Sequence, residues 1–116
     1  MLIKEFLISV LLFFLGHILV WIQLNGQFSF PDFFKKYEWG FILMGAPLGY
    51  LFIKATEYGY SAFNGILWPQ RLIGFSIGII IFSFLTHTLL NEGLSTKTLI
   101  CLSLSFTILA IQIFWK

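Results

Sequence analysis

The side chains of this sequence that could take part in chemistry are a few titratable residues within or beside long apolar stretches. His17 lies inside the first stretch, where an unpaired imidazole would be costly in lipid, so it should face other helices or a cavity. Imidazole changes charge near neutral pH, which suits proton coupling. A neutral imidazole that bonds to a neighbouring helix would need no function, and both interpretations stay open.

Glu57 is the strongest polar candidate. It lies beside Tyr58 and Tyr60, and Arg71 opens the next predicted helix. One interpretation is an ordinary ion pair with Arg71 or Lys54. The other is a carboxylate that binds a cation or proton, framed by aromatic rings that add cation–π attraction. The residues predicted to line a substrate or ion path are Glu57, His17, Tyr60, Trp68 and Arg71.

Two pairs of glycines have the GxxxG spacing that lets helix backbones approach each other. Gly45 and Gly49 lie in the second predicted helix, and Gly74 and Gly78 lie in the third. Packing within one chain is the favoured interpretation, and a dimer contact is the alternative. Pro47 removes one helical hydrogen bond and should kink the second helix.

Signatures of enzymes and metal proteins are missing from the sequence. It contains no HExxH or GxSxG motif, no phosphate-binding loop and no cluster of metal ligands. The single Cys101 lies in an apolar run and can form neither an intrachain disulfide nor a zinc cluster. We therefore predict no catalytic activity, no cofactor and no bound metal.

Three long runs contain no Asp, Glu, Lys or Arg: Phe6–Phe30, Leu72–Asn91 and Thr98–Trp115. A helix that rises about 1.5 Å per residue needs about 20 residues to cross the hydrocarbon core of a bilayer. Hydrophobic residues make up 59% of the chain and charged residues 10%, values typical of a membrane protein. The net charge of +2 is too small and dispersed to indicate nucleic acid.

The pattern predicts an all-α membrane protein, a single domain over residues 1–116 with four transmembrane helices in a compact bundle. The helices are expected at about residues 3–24, 39–56, 69–90 and 97–115. Asn25-Gly26-Gln27 should end the first helix, and residues 28–36 should form an interfacial loop. Lys54 and Glu57 interrupt the apolar pattern near the end of the second helix. If it continues to about Phe63, these two residues lie at i, i+3 and can neutralise each other.

Short polar segments separate the later helices. Asn64-Gly65 is a turn signal, and Pro69 suits the first turn of the third helix. Asn91-Glu92-Gly93 is a polar turn, after which Ser95 should cap the fourth helix.

The basic residues are almost evenly divided between the two sides of the predicted topology. One side holds Lys4, Lys54, Arg71 and Lys116, and the other holds Lys35, Lys36 and Lys97. Because Lys and Arg accumulate on the cytoplasmic side, the termini are cytoplasmic if anything. So weak a bias also fits insertion in both orientations, which an antiparallel homodimer requires. No small-x-small cleavage site follows the first apolar run, so we predict a retained helix in a bacterial inner membrane or an equivalent membrane.

The chain resembles the small multidrug resistance branch of the drug/metabolite transporter superfamily. The resemblance rests on Tyr60-Ser61-Ala62-Phe63, on Trp68 before a Gly- and Ile-rich helix, and on the turn that begins at Asn91. It implies four spans and small-solute transport. Those transporters depend on an acidic residue in the middle of the first helix, which this sequence lacks. His17 is the nearest titratable residue and is not an equivalent.

The resulting prediction is a small-solute transporter that acts as a homodimer in the lipid bilayer. The rival prediction is a non-transporting membrane subunit or scaffold whose aromatic surface docks onto a larger partner.

Overall fold

The computed structural model describes residues 2–115, and each regular element in that range is an α-helix. The helices are α1 (Ile3–Ser29), α2 (Pro31–Lys36), α3 (Glu38–Leu43), α4 (Gly45–Ala62), α5 (Leu67–Leu89) and α6 (Thr96–Phe114). Four stretches of this range are long and apolar enough to cross a membrane, namely α1, α3 with α4, α5 and α6. The prediction of an all-α protein with four transmembrane helices is confirmed. Lys116, counted above among the charges, lies outside the described residues.

The first helix is longer than predicted, since it continues through the Asn25-Gly26-Gln27 segment to Ser29. Gly26 lies inside the helix, and the ring of Phe30 packs against it, 2.6 Å from where a Cβ would lie. The predicted loop over residues 28–36 is also wrong. Only Phe30 separates α1 from α2, and Pro31 occupies the first position of α2, where its missing N–H costs little.

Aromatic packing holds the short α2 against α3. The ring of Phe34 stacks on that of Phe41, with centroids 4.5 Å apart and planes 13° apart. Phe30 and Phe33 also contact Phe41, at 6.0 and 6.3 Å between centroids. These contacts explain why a segment that contains Pro31 and two lysines is an ordered helix instead of a loop.

The second span is divided into two helices just before Pro47. Helices α3 and α4 meet at Met44, because Pro47 has no N–H to donate to the carbonyl of Leu43. Beyond the proline, α4 continues to Ala62, so the predicted end near residue 56 is wrong and the longer alternative is confirmed.

The later turns follow the sequence prediction. Asn64 and Gly65 adopt positive φ angles of 56° and 81° between α4 and α5. Pro69 lies in the first turn of α5. Ser95 caps α6, since its Oγ accepts a hydrogen bond of 3.2 Å from the N–H of Thr98.

Helix α1 lies at the centre of the packing. It runs antiparallel to α4: the Leu2 N–H donates to the Ala62 carbonyl at 2.9 Å, and the Ser9 hydroxyl donates to the Ala55 carbonyl at 2.7 Å. It runs parallel to α5, which it contacts from Gly74 to Thr86. The buried core lies where these three helices meet and consists of Phe13, Ala55, Ile73, Ile77 and Ile81.

The arrangement is flat. The Cα trace measures 48 × 36 × 17 Å, about twice as wide as it is thick. Four helices spaced about 9 Å apart in a square would be equally wide in both directions. Helix α6 packs mainly on α5 at one edge, and only Ser105 of α6 is buried.

Candidate functional site

An ion pair lies within the second span. The Lys54 ammonium donates to Glu57 Oε2 at 3.0 Å, one turn apart on α4. Of the two partners that the sequence left open for Glu57, Lys54 makes the contact. Arg71 forms no ion pair within residues 2–115. Lys54 lies eight residues before the end of α4, about 12 Å along the helix axis, within the stretch Glu38–Ala62 that is long and apolar enough to cross a membrane.

A groove runs between α1 and α4 beside this ion pair. Tyr50, Lys54 and Tyr58 form one side of it, at i, i+4 and i+8 on α4. Ile8 and Leu12 of α1 form the other side, and the groove has a volume of about 580 Å³. The Lys54 Nζ lies 5.8 Å from the centroid of the Tyr50 ring. The groove therefore combines an ammonium, two phenols and an apolar wall.

Three of the predicted path residues lie elsewhere. Trp68 and Arg71 line a shallow depression of about 280 Å³ with Leu67 at the start of α5. Tyr60 is exposed, and its ring lies beside Gly65 in the turn. The structure thus brings Trp68 and Arg71 together but does not join them to the groove that Lys54 lines.

His17 of α1 is half-buried and contacts both α4 and α5. Its ring meets that of Phe52 on α4 edge to face, with centroids 5.3 Å apart. On α5 it packs against Gly78, where a Cβ would lie 2.7 Å from the imidazole. The imidazole also lines a cleft of about 190 Å³ with Trp21 and Asn25. His17 thus faces other helices, as predicted, but its cleft is separate from the groove beside Glu57.

The two glycine pairs differ in their surroundings. Gly74 and Gly78 pack against Phe13 and His17, two α1 residues with the same spacing of four. They allow α5 to lie close to α1, which is the packing within one chain that the sequence favoured. Among the described residues, no side chain or neighbouring helix comes within 4 Å of a Cβ placed on Gly49, and a Cβ on Gly45 would meet only a side-chain nitrogen of Gln23 at 3.7 Å.

Sequence reasoning missed the buried polar side chains. Trp21 is 2% exposed, and its indole N–H donates to the Thr86 hydroxyl at 3.0 Å. Ser9 bonds across to α4, as described above. Within residues 2–115, Gln70 Oε1 and Ser76 Oγ are buried without a hydrogen-bond partner. For Ser76 the only sequence signal was polarity within an apolar run, and Gln70 lies just before that run, beside Arg71. The groove had a clearer one, since Tyr50, Lys54 and Tyr58 recur every four residues and must share one helix face.

These observations define a four-helix, multi-pass membrane protein. Among residues 2–115, no group of His, Cys, Asp and Glu side chains could hold a metal ion. No family model, no curated protein and no solved structure matches the chain.

Proposed function

We propose that this protein is a small-solute membrane transporter of the drug/metabolite type, acting as a homodimer in the inner membrane. The observation that carries the proposal is the groove between α1 and α4. A charged side chain within a membrane span is costly, and such residues commonly mark a substrate or ion path. Lys54 meets that description, and the tyrosines on either side of it add hydrogen-bonding groups to the same face.

The shape of the protein supports a dimer. A flat layer of four helices encloses no space for a solute to cross the membrane, and a second copy would supply eight helices. The flank of α4 with Gly45 and Gly49 is open and suited to a close helix–helix contact. The resemblance to the small multidrug resistance transporters, described above from Tyr60-Ser61-Ala62-Phe63 and Trp68, supports the same function.

The rival function is a non-transporting subunit of a larger complex. Helix α6 favours this rival function, because only 6% of the residues in its apolar stretch are buried. Large side chains such as Phe106 and Phe114 are exposed. Such a surface would suit a partner helix as well as lipid.

Purification from native membranes in mild detergent, followed by mass measurement, separates the two functions. A particle of two copies supports transport, whereas a second protein in constant ratio supports the subunit function. The dimer should then be reconstituted in liposomes and tested for uptake of organic cations, carboxylates and neutral solutes. Uptake no greater than in protein-free liposomes for every solute class would contradict the proposal.

Labelling of single cysteines tests the orientation, in a background in which Cys101 is replaced by Ser. Lys36→Cys and Trp115→Cys report on opposite sides of the membrane, because they follow the first and fourth spans. An antiparallel dimer requires each cysteine to be labelled from both sides. Labelling of each from one side only would exclude the antiparallel arrangement and leave a parallel dimer.

A further inference from the structure

The charged group that lines the groove is a cation. Lys54 is the only charged side chain among the described residues that line it. Glu57 bonds to Lys54 but lies outside the lining, and its side chain is 60% exposed. A cation that entered the groove would meet the ammonium before the carboxylate, and like charges repel. An anion would meet an opposite charge.

The hydrogen-bonding groups of the groove also suit an anion. Glu57 accepts only one contact from Lys54, at 3.0 Å, and the ammonium keeps further N–H donors. The phenol groups of Tyr50 and Tyr58 lie one helical turn to either side of Lys54 and can donate O–H bonds. Bonds from such donors to a carboxylate are charge-assisted and stronger than bonds between neutral groups.

The remaining walls of the groove are apolar. Ile8 and Leu12 of α1 face Pro47 and Leu51 of α4, next to the line of polar side chains. The volume of about 580 Å³ falls within the usual range for sites that bind small molecules. A ligand that fills it must therefore present one charged end and a hydrocarbon body.

The groove and the glycine flank lie on different sides of α4. Gly49 and Lys54 are five residues apart, which corresponds to about 140° around a helix. A second copy packed on Gly45 and Gly49 would therefore leave the groove open sideways to the bilayer. Ligands that already partition into the membrane could enter it directly.

We propose that this groove binds a small amphipathic organic carboxylate. The carboxylate contacts the Lys54 ammonium and the phenols beside it, and the hydrocarbon body lies against Leu12 and Leu51. This inference rests on the proposed transport function and names the class of its solute. Binding can be measured without transport. Failure of the binding proposal is therefore distinguishable from failure of the transport function.

Equilibrium dialysis with the full chain in nanodiscs of zwitterionic lipid tests the proposal. The probes are octanoate and octyltrimethylammonium, which share a tail and differ in charge, and empty nanodiscs correct for partitioning into lipid. Octanoate should bind, and Lys54→Gln should weaken its binding roughly tenfold or more, as loss of a charged hydrogen bond would. Lys54→Arg should retain binding, and the matched control Lys97→Gln, at an exposed position on α6, should leave it unchanged.

Octanoate binding by Glu57→Gln is a second measurement. It tests the proposal even if Lys54→Gln fails to fold. The Glu57→Gln substitution releases the ammonium from its carboxylate partner, so octanoate should bind more tightly. Three outcomes would overturn the proposal: octanoate binding unaffected by Lys54→Gln, octyltrimethylammonium binding at least as tight as octanoate binding, or weaker octanoate binding in Glu57→Gln. If octanoate binds as proposed but is not taken up into liposomes, the transport function is contradicted and the binding site is supported.

Discussion

At the scale of single residues, Gly59 lies at a close contact between α4 and α5. A Cβ at this position would lie 2.5 Å from Gln70 Cβ and 2.9 Å from Ser9 Oγ. The Cβ of Gln70 is fixed to its backbone, so it cannot move aside without a shift of the helix. The contact therefore requires glycine for reasons of space.

We expect Gly59→Ala to destabilise the protein by about 1–3 kcal/mol, the usual cost of overpacking a core. The measurement is the free energy of unfolding in detergent. Gly40→Ala is the matched control, since no heavy atom lies within 4 Å of a Cβ on Gly40 and alanine favours helix more than glycine does. Equal stability of Gly59→Ala and the original protein would show that α4 and α5 are not in close contact there.

The buried hydrogen bond between Trp21 and Thr86 permits a second test. Trp21→Phe and Thr86→Val each remove one partner, and the double variant removes both. Such bonds within membranes contribute about 0.6 kcal/mol on average. A double-mutant cycle of unfolding free energies should therefore give a coupling of this size. Zero coupling would contradict the geometry of 3.0 Å between indole nitrogen and hydroxyl.

The glycine pairs show what spacing can and cannot predict. Spacing alone correctly identified two small-residue faces, because positions four apart share a side of a helix. It could not tell that Phe13 and His17 fill the face of Gly74 while the face of Gly49 stays open. That difference depends on which helix lies opposite, and this is a property of the tertiary fold.

At the scale of the elements, α6 is distinguished among the described spans by a side-chain cap at its first turn. It packs mainly on α5, and only one of its residues is buried. The Ser95 hydroxyl bonds to the Thr98 N–H at the first turn. The same hydroxyl lies 3.0 Å from the Thr98 hydroxyl.

We expect Ser95→Ala to cost about 1 kcal/mol through loss of the cap, and to speed amide hydrogen exchange in the first turn of α6. Ser103→Ala is the matched control, because the Ser103 hydroxyl is exposed and bonds only to the Leu99 carbonyl of its own helix. Exchange at Thr98 that is as slow in Ser95→Ala as in the control would contradict the cap.

Helix existence was more predictable from the sequence than helix ends. Apolar stretches predicted the four spans, although only three of them contain long runs without charged residues, and a side-chain cap at Ser95 has a local chemical signal. The end of α1 was mispredicted because the local sequence pattern treats Gly26 as a helix stop signal. In the structure, Gly26 lies inside the helix and contacts the ring of Phe30. The end of α4 was mispredicted because Lys54 and Glu57 neutralise each other on the helix surface, so charge there does not require a loop.

At the scale of the whole molecule, the flat arrangement leaves one flank of α4 without a neighbour. Gly45 and Gly49 lie on this flank, beside the exposed side chains of Ile42 and Ile53. Small residues in a membrane helix let a second backbone approach closely, and a symmetric dimer would place the same flank of each copy in contact. Under the proposed function, this flank holds the two copies together while the Lys54 groove stays open to lipid.

We expect Gly49→Leu to weaken the dimer by at least tenfold in dissociation constant, because the leucine side chain would force the two α4 backbones apart. Fluorescence energy transfer between labelled copies, diluted in detergent, measures that constant. The fold of one copy should be unaffected, since a Cβ on Gly49 meets nothing within 4 Å. Ala110→Leu, an exposed position on α6, is the matched control and should leave the dimer unchanged. If the dimer tolerates Gly49→Leu but dissociates with Ala110→Leu, the interface lies on α6 and not on α4. Helix α6 is also the contact surface under the rival subunit function.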